Sequence, residues 1–502
     1  MPVGKQLTLR RLIIEEKHYI PYVGNGHIGL ALGASNEELV VYFGRSLSLG
    51  IGLHPRILVG VPGVPGSNAF VTDYLKGSVY YIQCFKINSE CVVITTTTYA
   101  HRKYSKTLVQ EVTVRNPMDK SVDIKFSYSA QHQIPKNSEQ KINDVAVSVL
   151  SRKVVDPSNP EHVLAVAAIL PVIPTNVVSI KPRSSENFRF LTVVEASEST
   201  QTDLYSNQKK IQEERVLEGF KQVVGVEGGI LTKSHQNIWN MLWRPGFRIS
   251  YSMAPNVLNP TQINATRYAV LSNAAAPIHE HAATREQADS LSKSLAQTDL
   301  CYNAHHSKNT LFYPSKLWSE MRSGSDVADL AYRWLLTLEK RGCERLVQAG
   351  ADGISQAMVL SFGPLKFMQR HLEFDIDPQD LHRDYEFRNL AFGGNGSWVT
   401  VSVEVGDDNK AVLWASMAQE VRSTTAPSHF YACDAACLDS PVELRETRIE
   451  FPVKLTEPLT PILYITKDRN HLEELKHTIH VNEIMLAPAH EHHVMALHRH
   501  QS

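Results

Sequence analysis

The sequence predicts a mainly β protein with a helical middle: an N-terminal antiparallel β-sandwich, a helical linker segment and a C-terminal β-sandwich. Three observations carry this. Runs of β-branched and aromatic residues bounded by turn formers crowd both ends of the chain. Helical periodicity is concentrated in the centre. A length of 502 residues with 43% hydrophobic content is enough to bury more than one core.

The first sandwich is expected over residues 10–200. "GSVYYIQCF", "CVVITTTTYAH", "TLVQEVTVRNPMDKSVDIKFSYSAQ" and "HVLAVAAIL" combine strand-forming side chains with breaks such as Asn116-Pro117-Met118-Asp119. Ahead of them, "YVGNGHIGLAL" holds Gly24, Gly26 and Gly29 at the G-x-G-x-x-G spacing. A dinucleotide loop would continue into a helix and offer an acidic residue about 20 positions on. Here the chain continues through Gly33 and Asn36 into strand-like sequence, with Gly-Arg-Ser-Leu at 44–47. The motif is therefore read as a strand entry in which Asn25-Gly26 makes a positive-φ turn.

Residues 201–352 form the expected helical middle. "STQTDLYSNQKKIQEERVLEGFKQV" is polar and lacks glycine until Gly219, and "SHQNIWNMLW" and "TQINATRYAVLSNAAA" continue in the same style. In "SDVADLAYRWLLTLEKRG", Val327, Leu330, Ala331, Trp334, Leu335 and Leu338 mark one apolar face, with Ser325 as N-cap and Gly342 as terminator. From 353 to 480 strands return: "ISQAMVLSFG", "HLEFDID", "SWVTVSVEV", "AVLWASM", "HFYAC", "IEFPVKL" and "ILYIT", with "GDDNK" as a hairpin turn and "RNHLEELKHTIH" as a closing helix. Residues 486–502 are a His-rich tail, expected to be disordered.

Charge excludes some partners. Fifty-one Lys and Arg against 52 Asp and Glu leave no field that would attract a nucleic acid. No signal-type start and no apolar run of about 18 residues is present. The six cysteines, Cys84, Cys91, Cys301, Cys343, Cys433 and Cys437, suit either lumenal disulfides or buried thiols. A turn near Ile87-Asn88 would set Cys84 opposite Cys91 in a non-hydrogen-bonded pair, and Cys433 and Cys437 could close a small loop. Asn264 and Asn395 head N-x-[ST] acceptors for glycosylation.

Two family resemblances add expectations. "VGNGHIG", "HQNIWNMLWRPGFRIS" with His235, Trp239, Leu242 and Trp243, "TRYAVLSN", and "CYNAHHSKNTLFYPSKLW" with Cys301, Tyr302, His305 and Pro314 resemble glycoside hydrolase family sixty-five in the same order. That family's "FWDTE" is "HSKNT" here, with Lys308 and Asn309 where acids would stand, and its "GxDEY"-like acid motif is missing. A sugar-cleaving site needs such a carboxylic acid. Roughly a hundred residues between linker and second sandwich are also too few for a full helical barrel at about 1.5 Å per helical residue.

A more specific resemblance covers most of the chain. "LTLEKRGCERLVQAGADGISQAMVLSFGPLKF", "YACDAACLDSPVEL" and "EPLTPILYITKDRNHLEELKHTIH" are similar to the KIAA-twenty-thirteen-like family of metazoan single-pass membrane proteins, a domain of unknown function. The resemblance implies a lumenal or extracellular, disulfide-bonded, N-glycosylated ectodomain, membrane-anchored in the full-length family through segments this chain lacks.

The expected function is non-catalytic binding of a glycan or glycoprotein client, with no cofactor and no metal. The alternatives are a glycoside-processing enzyme with unfamiliar carboxylates and an assembly scaffold without a sugar site. Candidate ligand-binding residues are Trp239, Trp243 and Trp318 as an aromatic wall, and His305 and His306. Tryptophans in short helices also serve as interface core, and the histidines also suit a core edge. Asp299 and Glu320 are the acids that a catalytic reading would recruit. The five histidines from His490 to His500 read as a solvated tail, since a metal site needs fixed geometry.

Overall fold

The computed structural model describes residues 19–34, 36–43, 47–130, 139–296, 301, 312–368, 370–392, 397–419 and 429–489. The chain forms two compact units: Met1–Leu242, Asn264–Ala288 and Phe312–Leu336 make unit one, and Trp243–Ile263, Asp289–Leu311 and Thr337–Ser502 make unit two. Residues 201–352 thus contribute to both.

Unit one is built on a nine-stranded antiparallel sheet running from Glu139–Ile142 at one edge to Gly66–Asp73 at the other. Strand alternation sorts its side chains onto two faces. On one, Ala100, Leu108, Val166 and Val194 pack with Leu30, Leu39 and Val41 of a four-stranded meander that begins at Tyr22–Gly24. On the same face Val92, Val112 and Phe190 pack with Ile57, Val59, Ile124 and Phe126 of a three-stranded sheet. The other face carries Tyr99, Val109, Ile169 and Val193, which meet Val216, Phe220 and Val223 of the helix Tyr205–Val224. The strand Asn159–Pro171 is covered on both sides, and its residues from Val163 onward are all buried. A continuous apolar run is what such a strand requires.

Unit two is a second sandwich. One five-stranded sheet runs Gly246–Ile249, Tyr385–Ala391, Ser397–Val405, Ala411–Gln419, Ile449–Pro452. The other runs Leu365–Phe367, Leu372–Phe374, Leu463–Thr466, Tyr431–Asp434, Val442–Glu443. Phe387 of the first and Phe374 of the second meet edge-on at 6.2 Å across the interior. The expected "GDDNK" hairpin joins two central strands, with Asn409 at φ 58°. The closing helix is Arg469–Thr478, capped by Asp468.

Three local expectations need correction. "ISQAMVLSFG" is not a strand: Ala351–Ser361 is a helix whose residues Gly353–Leu360 are all buried. A side chain at Gly353 would lie 1.9 Å from the Leu346 carbonyl oxygen, so glycine permits the helix to seat there. The helix Gly324–Leu338 is capped by Ser323 rather than Ser325. Ser323 Oγ accepts from the Asp326 N–H while Asp326 Oδ2 accepts from the Ser323 N–H, a reciprocal capping box. Finally, Cys84 is cross-strand from Val93 and Cys91 from Lys86, so the two cysteines bridge diagonally, and the turn is at Asn88-Ser89.

All six cysteines pair, as Cys84–Cys91, Cys301–Cys343 and Cys433–Cys437. Such use of cysteine points to an oxidising, extracytoplasmic environment. Among the described residues no helix is long and apolar enough to cross a membrane.

Candidate ligand-binding site

The sequence-predicted aromatic residues do not share one role. Trp239 is fully buried in unit one: the Arg102 guanidinium covers one side of the indole at 4.4 Å and the Tyr268 ring stacks at 5.2 Å. No ligand can reach it. Trp318 meets Trp334 edge-on at 5.1 Å, and Trp334 donates to the Leu317 carbonyl, so this pair anchors the short helix Pro314–Leu317. Trp243 is half-buried and falls in unit two. Glu320 is held by the Arg322 guanidinium at 2.7 Å. Asn264 is part-exposed on the helix Pro260–Ser272, with Thr266 fully buried. His305, His306, Asp299, Asn395 and the tail histidines lie outside the described residues.

The G-x-G-x-x-G motif makes a closed polar centre in unit one. Asn25 accepts from the His27 and Ile28 N–H groups and donates to the His101 and Ser105 carbonyls, which uses its whole amide. Gly26 has φ 84°, and a Cβ there would lie 2.0 Å from the Ala275 nitrogen. The motif is a packed turn, as the residue chemistry predicts. Beneath it the buried Arg102 donates to the carbonyls of Asn25, Ala274 and Leu271. His101 accepts two backbone N–H bonds at Nδ1 and donates to the Leu231 carbonyl from Nε2, so the ring is neutral. Burial pulls its pKa down to about 4, helped by Lys103 and opposed by the Leu231 bond. His235, also buried, is lowered further by burial, His101 and Arg102.

Next to this turn, His27 contacts Glu280 at 2.7 Å and accepts from Lys106 at 3.2 Å, beside a cavity of about 440 Å³. Burial would raise the Glu280 carboxyl, but bonds from His27 and Ser105 and the charge of Lys106 outweigh it and leave the pKa lowered. With one oxygen on His27 and the other on Ser105, Glu280 is an acceptor and a poor proton donor.

The open polar surface lies in unit two, on the outer face of the five-stranded sheet. Strand register aligns Arg248, Glu386, Ser402, Trp414 and Glu450 in one row, one residue from each strand. Thr400 and Ser416 pair in the next row on this face, and their neighbours Val401 and Ala415 point into the core. A concavity of about 720 Å³ lies over Arg248, Glu386, Ser402, Trp414, Thr400 and Ser416, within the size range of small-ligand sites. Arg448 lies over the Trp414 ring at 4.2 Å and is ion-paired with Glu404. Glu386 pairs with Arg248 at 3.5 Å and Arg388 at 3.3 Å. The Trp414 indole N–H is buried without an acceptor among the described residues.

None of these residues was singled out from the sequence. The signal was available in "SWVTVSVEV" and "AVLWASM", where Trp, Thr, Ser and Glu occupy every second position opposite the core valines.

Fold and surface define a disulfide-bonded, two-sandwich protein with an open polar-aromatic sheet face. Over residues 12–501 the chain belongs to the family described as "Uncharacterized conserved protein (DUF2152)". It is 31% identical over 494 residues to the uncharacterized protein KIAA2013 homolog of Xenopus tropicalis, covering 95% of this chain and 77% of that protein. The Xenopus laevis homolog gives 31% over 494 residues, at 95% and 78% coverage. A solved structure of a putative kojibiose phosphorylase from human microbiome is weakly similar, with a TM-score of 0.38 and 11% identity. That match covers 66% of this chain and 48% of the other, so this chain corresponds to about half of that enzyme.

Proposed function

We propose that this protein is an extracytoplasmic, non-catalytic binding protein whose ligand is a neutral glycan, free or carried by a glycoprotein client, seated on the outer sheet face of unit two. The observation that carries the reading is the row Arg248, Glu386, Ser402 and Trp414 beneath the 720 Å³ concavity, continued at its edge by Glu450. A sugar presents hydroxyl groups around its ring edge and C–H groups on its faces. Paired Arg and Glu side chains supply donors and acceptors to the hydroxyls, Ser402, Thr400 and Ser416 supply both, and the indole supplies an apolar plane.

Charge favours a neutral ligand. Arg248, Arg388 and Arg448 stand against Asp384, Glu386, Glu404 and Glu450 on this face, so no excess of positive charge selects a phosphate, and the one surplus carboxylate, Asp384, already accepts from the Val405 N–H. Arg448 covers Trp414 and would move aside on binding, with a ligand oxygen taking over its bond to Glu404 or the orphaned indole N–H.

The test is a glycan array probed with the oxidised full chain. The expected result is binding to a restricted set of neutral glycans, weakened about tenfold or more by Trp414→Ala. An array with no bound glycan, or an unchanged signal from a folded Trp414→Ala variant, rejects the reading. Turnover of any bound glycan would replace it with the enzymatic alternative.

A further inference from the structure

Unit two holds a second constellation, away from the sheet face. His371 and His471 are both buried, and their rings meet through His371 Nδ1 and His471 Nε2 at 2.8 Å. The outer nitrogens face carboxylates: His371 Nε2 lies 2.8 Å from Glu373, and His471 Nδ1 lies 3.6 Å from Glu474. The result is a linear chain, Glu373 to His371 to His471 to Glu474. A metal ion does not suit it, because each carboxylate lies on the far nitrogen of its own imidazole and cannot converge with the facing pair.

Proton counting gives the chain its property. In the neutral state Nε2–H of His371 donates to Glu373, and Nε2–H of His471 donates to Nδ1 of His371. The remaining nitrogen, His471 Nδ1, then carries no proton, which matches its long 3.6 Å approach to Glu474. Protonating His471 at Nδ1 fills that last gap and keeps the central bond. A further proton must go to His371 Nδ1, and the central bond then ceases to exist because both facing nitrogens carry hydrogens.

The elements joined by this bond make the event structural. His371 precedes the strand Leu372–Phe374, and His471 lies in the first turn of the helix Arg469–Thr478. Leu472 of that helix packs on Cys433, Cys437 and Tyr464. The other charged groups around the pair are Arg370, ion-paired with Asp468 and Glu474, the Asp468 N-cap, and Lys467 beyond the strand Leu463–Thr466. The Tyr464 ring lies 5.7 Å from His371, and Asp375 is ion-paired with Lys366. Glu474 favours uptake of a proton at His471, while burial, His371 and Arg370 oppose it.

We propose that the His371–His471 contact is a pH-sensitive latch that holds the helix Arg469–Thr478 to the sandwich at neutral pH and releases it when both imidazoles are protonated. Burial, His371 and Arg370 lower the His471 pKa, against the pull of Glu474. The folded state therefore takes up this proton less readily than the unfolded chain. The latch's contribution is complete above the ordinary imidazole range and is lost as pH falls.

Hydrogen exchange of the full oxidised chain, corrected for intrinsic exchange rates, tests this. Amides of 469–478 are expected to lose protection several-fold between about pH 7 and about pH 5, more than the strand Ser397–Val405 of the same unit. His471→Gln keeps a donor toward His371 and removes one of the two imidazoles, so its loss of protection over that range should be smaller than the parent's. If that variant does not fold, Glu474→Gln is read instead: without the carboxylate the latched state takes up the proton still less readily, so its loss of protection by about pH 5 should be greater than in the parent. Equal pH responses of helix and strand, or a loss of protection indifferent to either substitution, would overturn the latch.

Discussion

Each unit gathers arginine, aromatic rings and hydrogen-bonding side chains, and the two arrangements end in opposite states. In unit one Arg102 is 1% exposed, its guanidinium is aimed at three backbone carbonyls, and Trp239 beneath it has both sides covered. In unit two Arg448 is half-exposed, its guanidinium rests on Trp414, and its partner Glu404 is exposed as well. The same chemistry is structural in the first setting and available in the second. The difference is whether the acceptors are main-chain groups that cannot leave or side chains that can exchange for a ligand.

Substitutions should divide along that line. Arg102→Met strands three buried carbonyls and is expected to cost about 5 kcal/mol, enough to prevent accumulation of folded protein. Expression yield and thermal unfolding check it, and near-parental stability would mean the centre is less closed than its hydrogen bonds indicate. Exchanging Cys301 and Cys343 for serine opens a loop of sequence separation 42 and should lower unit two's stability by about 4 kcal/mol. The separation of 7 between Cys84 and Cys91 predicts a smaller loss, about 2 kcal/mol. Denaturant titration of both variants compares them.

Acid should weaken unit one next. His101 is held neutral with a pKa of about 4, so the folded state binds fewer protons than the unfolded chain between that value and about 6.5. Its contribution is present above about pH 6.5 and declines by roughly 3 kcal/mol as pH falls to about 4. His101→Gln should flatten this slope in melts followed against pH, and an unchanged slope would place the acid sensitivity elsewhere. The smallest stability effect belongs to the open face: Trp414→Ala is expected to change unfolding by only about 1 kcal/mol while weakening ligand binding about tenfold or more.

Legibility from sequence followed the physics of exposure. Half-covered strands announce themselves by alternation, so "SWVTVSVEV" and "GDDNK" were readable, and Asn25-Gly26 was recognisable as a turn because its chemistry is local. The helix Ala351–Ser361 was not, since a segment buried on every side shows an unbroken apolar run whether helical or extended. Trp239 resembled a sugar platform because its covering partners, Arg102 and Tyr268, are 137 and 29 positions away in the chain. The row through Trp414 was hidden for a related reason: its members come from five strands, and only their register brings them together.

The most direct test of the account is glycan binding by the oxidised full chain, compared between the parent and Trp414→Ala with thermal unfolding recorded on the same samples. The account predicts a bound neutral glycan, held about tenfold or more weakly by the variant at nearly unchanged stability. Undiminished binding in the variant, or no bound glycan for the parent, would contradict it.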